Sequence, residues 1–296
     1  MGLLRNHPVA SFVALAMVFT YGIGLPWYFL TESYERAWGV REELLSLFFM
    51  RAGPTIAGLA VVAAVAGRRG IAMWFRQLLR WRVNPLYYVA LLVIVVGAFA
   101  STNFVIFDAQ SILNSPDVAT DRPWLALLGS YLAEIAYITV TNGEETGWRF
   151  ALLGLLLVRF RLLAACLIVG VVWAIWHAPA FFLFGQSGLW YPLIVICLAY
   201  ALIYGWLYRA TGSLFLVILA HGAANATYYT FERHFTELSA RWDSIEPTGD
   251  WAFAFVSLAV AVVVVGFRWR MFFHASEVAQ SKEDWAWVGA KPLSAS

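Results

Sequence analysis

Charge is what this chain has least of. Only 13% of its 296 residues are Asp, Glu, Lys or Arg, while 61% are hydrophobic and 17% aromatic. That balance excludes an ordinary water-soluble domain and places the chain among integral membrane proteins. A formal net charge of +2 offers no basic surface, so nucleic acid is not an expected partner. Cysteine is nearly lacking as well: Cys166 and Cys197 both fall inside apolar runs, which predicts packing residues rather than a disulfide. No internal repeat and no separate polar domain interrupt the pattern. A small-residue cleavage site is also missing after the first apolar run, whose "GIGLPWYFL" end predicts a retained span.

What is present is a series of long apolar runs. A helix needs about 20 such residues to cross a hydrocarbon core of roughly 30 Å, and eight runs qualify: 9–30, 45–66, 85–106, 123–158, 162–184, 191–209, 213–231 and 251–269. The expected fold is an all-α, polytopic membrane helix bundle of about eight transmembrane helices. It forms one membrane-embedded domain over 1–274, followed by a polar tail over 275–296. The fourth run is too long for one straight crossing, and Gly143 and Gly147 are its expected bending points.

The scarce basic residues are unevenly placed. Arg5, Arg68, Arg69, Arg76, Arg80, Arg82, Arg159, Arg161, Arg209, Arg268, Arg270, Lys282 and Lys291 fall on one face, thirteen against the five on the other (Arg36, Arg41, Arg122, Arg233 and Arg241). Most acids, Asp108, Asp117, Asp121, Glu232, Glu237, Asp243, Glu246 and Asp250 among them, share that second face. The bias predicts a cytoplasmic arginine-bearing face with both termini on it. "GIAMWFRQLLRWR" (Gly70 to Arg82) reads either as a short interfacial helix or as a basic loop.

Inside the spans a few polar side chains call for a reason: Arg51, Glu134, Glu144, Glu145, Arg149, His177, His221 and Asn225. An ionisable group at membrane depth is a functional-site candidate. At 1.5 Å per residue, Glu144, His177, His221 and Asn225 converge on one layer of the bundle. Residues four apart share a helix face, which pairs Glu145 with Arg149 and turns the adjacent Glu144 away from that pair. A free carboxylate near a histidine and out of bulk water can act as a general base. Glu134 is expected to be a protonated or hydrogen-bonded structural acid, and Arg51 to snorkel toward the interface.

"EETGWR" (Glu144 to Arg149), "WAIWH" (Trp173 to His177) and "HGAAN" (His221 to Asn225), in this order and each on its own span, resemble the three motifs of the CAAX-protease and bacteriocin-processing family of intramembrane glutamic endopeptidases. The likeness extends over roughly Leu44 to Asn225 and is densest in the core 123–231. It implies an endopeptidase of eight helices that hydrolyses prenylated CAAX-type, leader or bacteriocin-like peptides associated with the lipid bilayer, in the cell membrane of a prokaryote. Carried over, the resemblance makes Glu144 the base and His177 its partner in activating water. It makes His221 and Asn225 the oxyanion donors and Glu145 and Arg149 their support, with no cofactor. A water-filled cavity open to the cytoplasm is then required. Two positions depart from the family: Trp173 stands where phenylalanine is usual, and Phe150 where glycine is common.

Other readings stay open at this point. Glu144, His177 and His221 could supply the three protein ligands of a catalytic zinc, although HExxH is missing. "GQSG" (Gly185 to Gly188) matches a serine-protease motif but falls at a span boundary far from His221, and so reads as a turn. The polar cluster could also only hold the bundle together, in a bacteriocin-immunity or scaffold protein, or carry protons in a transporter through Glu134 and Glu144.

Overall fold

The computed structural model describes residues 2–30, 46–118 and 123–274. Arg36, Arg41, Asp121, Arg122, Lys282, Lys291 and the tail 275–296, which entered the charge count and the domain limits, lie outside the described residues. Among the described residues eight helices are long and apolar enough to cross a membrane. They are α1 (Pro8–Leu30), α2 (Ser46–Leu78), α3 (Leu86–Ile106), α4 (Trp124–Thr141), α6 (Leu162–Leu183), α7 (Ser187–Thr211), α8 (Leu214–His234) and α10 (Thr248–Phe267). Between them lie α5, π-helical over Thr146–Leu153 and α-helical over Gly154–Leu156, and the short α9 (Thr236–Ser244). No strand occurs among the described residues, and the all-α polytopic bundle is the fold of an integral multi-pass membrane protein.

The long fourth run resolves into two helices. α4 stops at Thr141, Asn142 turns extended (φ −91, ψ 94), and the chain starts a new turn at Glu144. The break frees backbone groups that need partners at this depth. The Asn142 side chain accepts from the Glu144 N–H at 3.1 Å, and the Thr55 hydroxyl donates to the Gly143 carbonyl. The bend expected at Gly143 is therefore there, whereas Gly147 does something else. A side-chain carbon on it would lie 2.4 Å from the Pro54 carbonyl oxygen, so its bareness lets α5 lie directly on α2.

The segment from Gly70 onward is helical through Leu78 rather than a loop. It continues α2 beyond a kink at Gly67, whose φ of 58 suits only a residue without a side chain. Beyond the kink the helix docks on protein: Gln77 is fully buried and receives the Tyr208 hydroxyl, and the Trp74 indole donates to Thr146 at 3.2 Å. Arg69 and Arg76 face out, and so does Trp81 just past the helix end.

α7 is the central helix, packed between α6 and α10, while α8 lies against α4. Every residue of α7 from Ala199 to Tyr208 is buried, as expected of a helix that is apolar on all sides. Cys166 and Cys197 are free and buried.

Candidate active site

The two adjacent acids of "EETGWR" head two parallel ladders on the first turns of α5. Glu144 accepts from the Trp148 indole at 3.3 Å, and Glu145 binds Arg149. Each pair is four residues apart, so neighbouring carboxylates point into different surroundings.

Glu145 faces the closed side. It meets Arg149 at two points, Nη1 to Oε1 at 3.2 Å and Nε to Oε2 at 3.1 Å, and its Oε1 also lies 2.8 Å from His221 Nδ1. Arg149 is wholly buried, donates to the Tyr200 carbonyl at 3.4 Å, and sits between the rings of Trp173 (4.7 Å) and Tyr204 (5.1 Å). A buried guanidinium is tolerable only with this much compensation from a carboxylate, a carbonyl and aromatic faces. One glutamate thus joins α5 to α8, and its arginine joins α5 to α6 and α7. The expected Glu145–Arg149 pairing is present, and the contact to His221 is additional.

Glu144 faces a cavity. Its Oε2 accepts from Trp148 and, at 3.1 Å, from the Trp173 indole, while Oε1 makes no hydrogen bond to any described residue. The cavity, of about 490 Å³, is lined by Glu144, His177, His221 and Asn225 together with Arg51, Tyr21, Cys197 and Tyr204. The four residues expected in one layer therefore share one space, although they come from α5, α6 and α8.

The histidine tautomers follow from their neighbours. His177 Nδ1 lies 2.9 Å from the Trp173 carbonyl, which can only accept, so Nδ1 carries the proton and Nε2 keeps a lone pair. His221 Nδ1–H likewise donates a hydrogen bond to the Glu145 carboxylate. A neutral His221 then presents a lone pair at Nε2, and donates to an oxyanion only when doubly protonated. Asn225 has no hydrogen bond to a described residue and lines the cavity. Its amide is a donor as it stands.

Two further expectations change. Arg51 does not snorkel away; it lines the cavity and donates to the Tyr229 hydroxyl at 3.3 Å. Glu134, by contrast, is the hydrogen-bonded structural acid expected: it accepts from Arg233 at 2.9 Å and ties α4 to α8 outside the cavity lining. The cavity also does not open toward the arginine-bearing face. Its lining climbs instead through Ala180, Leu189 and Tyr228 to Gln186 and Asp250 at the acidic end. Of "GQSG", Gly185 (φ 74) and Gln186 lie in the turn between α6 and α7, and Ser187 and Gly188 open α7. Among the described residues no three His, Cys, Asp or Glu side chains group as ligands of one metal ion.

Sequence reasoning missed the two indoles that grip Glu144. The signal for Trp148 was available, since it stands four residues after Glu144 in the same motif. Trp173 comes from another helix, and only its departure from the family pattern marked it. Phenylalanine at that position would keep the ring under Arg149 but would have no N–H for Glu144.

Fold and site together define a class: a multi-pass helical membrane protein with a carboxylate and two histidines on an internal cavity. Residues 122–227, which run from the start of α4 into α8, match the family model described as Rce1-like: Type II CAAX prenyl endopeptidase Rce1-like. The match spans all three motifs and bears out the resemblance to the CAAX-protease family, a family of peptidases. No curated protein matches the chain.

Proposed function

We propose that this protein is an intramembrane endopeptidase in which Glu144 activates a water molecule for attack on a peptide carbonyl. The observation that carries the reading is the free oxygen of Glu144 on the same cavity as His177, His221 and Asn225, none of them from a neighbouring turn. Glu144 takes a proton from water as the water oxygen bonds to the carbonyl carbon. The Nε2 lone pair of His177 accepts from the second hydrogen and orients the attack. The oxyanion that forms is held by the Asn225 amide and by doubly protonated His221. Glu144 then returns its proton to the amide nitrogen, the carbon–nitrogen bond breaks, and an acid and an amine leave. Glu145 and Arg149 hold His221 and the indole of Trp173 in place and touch no substrate.

No step requires a cofactor, and the substrate is a membrane-associated peptide, whether a CAAX-type tail or a leader-like segment. The test is cleavage of prenylated and unprenylated peptides in nanodiscs by wild type and Glu144→Gln, with thermal unfolding measured on both. Loss of cleavage in a variant that unfolds like wild type supports the reading, and equal cleavage by both overturns it. A bundle in which the cluster is only structural gives no cleavage by either protein.

A further inference from the structure

The two ends of the molecule differ in charge and in openness, and the two differences align. Among the described residues the face bearing Arg5, Arg68, Arg159, Arg209 and Arg268 carries no Asp or Glu, whereas Asp108, Asp117, Glu237, Asp243 and Glu246 sit on the other. Arginine-rich loops stay in the cytoplasm, so the acidic end is extracytoplasmic.

The space between the site and the arginine-bearing face is solid. Trp148, Phe150 and Leu152 of α5, Gln77 of α2, Tyr208 of α7 and Leu214 of α8 are all wholly inaccessible to water. The Ser213 hydroxyl donates to the Arg80 carbonyl and caps the first turn of α8 by accepting from Leu216 N–H at 3.0 Å, which closes the floor. In the opposite direction the cavity reaches Gln186, an exposed residue of the turn between α6 and α7, and Asp250 at the start of α10.

We infer that the cavity admits its peptide from the extracytoplasmic side, so that the substrates are exported or outward-facing segments and not lipid-modified tails held at the cytoplasmic leaflet. This rests on the peptidase reading for what is cut, but not for where the opening lies. A prenyl-anchored cytoplasmic tail would have to pass the plug of Trp148, Phe150 and Tyr208 to meet Glu144. A segment outside meets Gln186 and Asp250 first and then descends along Ala224 to Asn225.

Orientation and access are measured with single cysteines in a background of Cys166→Ala and Cys197→Ala whose unfolding temperature is checked against wild type. Gly188→Cys, an exposed site with open space around it, should react fully with a membrane-impermeant maleimide on intact cells, and Phe160→Cys, exposed at the arginine-bearing end, only after lysis. Ala224→Cys inside the cavity should react with a small cationic methanethiosulfonate from outside. The reverse pattern at Gly188 and Phe160, or reaction of Ala224→Cys only after lysis, overturns the inference. Cleavage of an impermeant peptide by right-side-out but not inside-out vesicles supports it, and the opposite preference overturns it. A protein that cleaves no peptide even in detergent removes the peptidase reading, and the labelling still decides the opening.

Discussion

The arginine-bearing half and the acidic half of this bundle are built from the same helices by opposite means. Toward the arginines, α2, α5, α7 and α8 interlock through wholly buried Trp148, Gln77, Tyr208 and Leu214. Toward the acids the same set separates around about 490 Å³ of space. The boundary runs between Glu145 and Glu144: one acid anchors the packed half, and its neighbour faces the open one. Two adjacent carboxylates are compatible with a membrane because the first is neutralised by Arg149 and the second reaches a cavity large enough for water.

If that division is right, substitutions on the cavity side lower rate and leave folding intact, and those on the packed side do the reverse. The largest effect is expected at Glu144. Glu144→Gln keeps an acceptor for the two indoles but no base, and should lower the cleavage rate by about 100- to 10,000-fold at unchanged unfolding temperature. Next is Arg149→Leu, which strands Glu145 in a sealed site and should cost roughly 3–5 kcal/mol in denaturant unfolding. A mild unfolding effect there would break the comparison. Asn225→Ala removes an oxyanion donor and should reduce kcat by about 100- to 1000-fold with KM little changed; a pure KM effect would instead make Asn225 a binding residue.

Trp173 touches both halves, so Trp173→Phe sharpens the boundary. It keeps an aromatic ring beneath Arg149 and deletes one hydrogen bond to a charged oxygen, a contact worth about 1.5–3 kcal/mol. The loss should fall mostly on cleavage rate, read by single-turnover kinetics, with little change in unfolding. The smallest effect is expected from Arg233→Gln. The Glu134–Arg233 pair lies outside the cavity lining and its arginine side chain is 39% exposed, so stability should fall by only about 1 kcal/mol and cleavage should not change.

Much of this division is legible in the residues themselves. The eight apolar runs, the polarity of the loops, the pairing of Glu145 with Arg149 and the convergence of Glu144, His177, His221 and Asn225 all follow from hydropathy, helical period and rise, which are local properties. The π-helical turns of α5 and the docking of Trp74 and Gln77 were not legible, because each depends on a surface supplied by a distant part of the chain.

By itself the sequence determined which helices cross, which residues are polar at depth and which face carries the arginines, since apolar length and charge act along the chain. Only the tertiary structure decided which oxygen of which acid is free, which nitrogen of each histidine keeps its lone pair, and toward which end the cavity opens. Those depend on what stands opposite a side chain, and Trp173 reaches Glu144 from another helix 29 residues away in sequence.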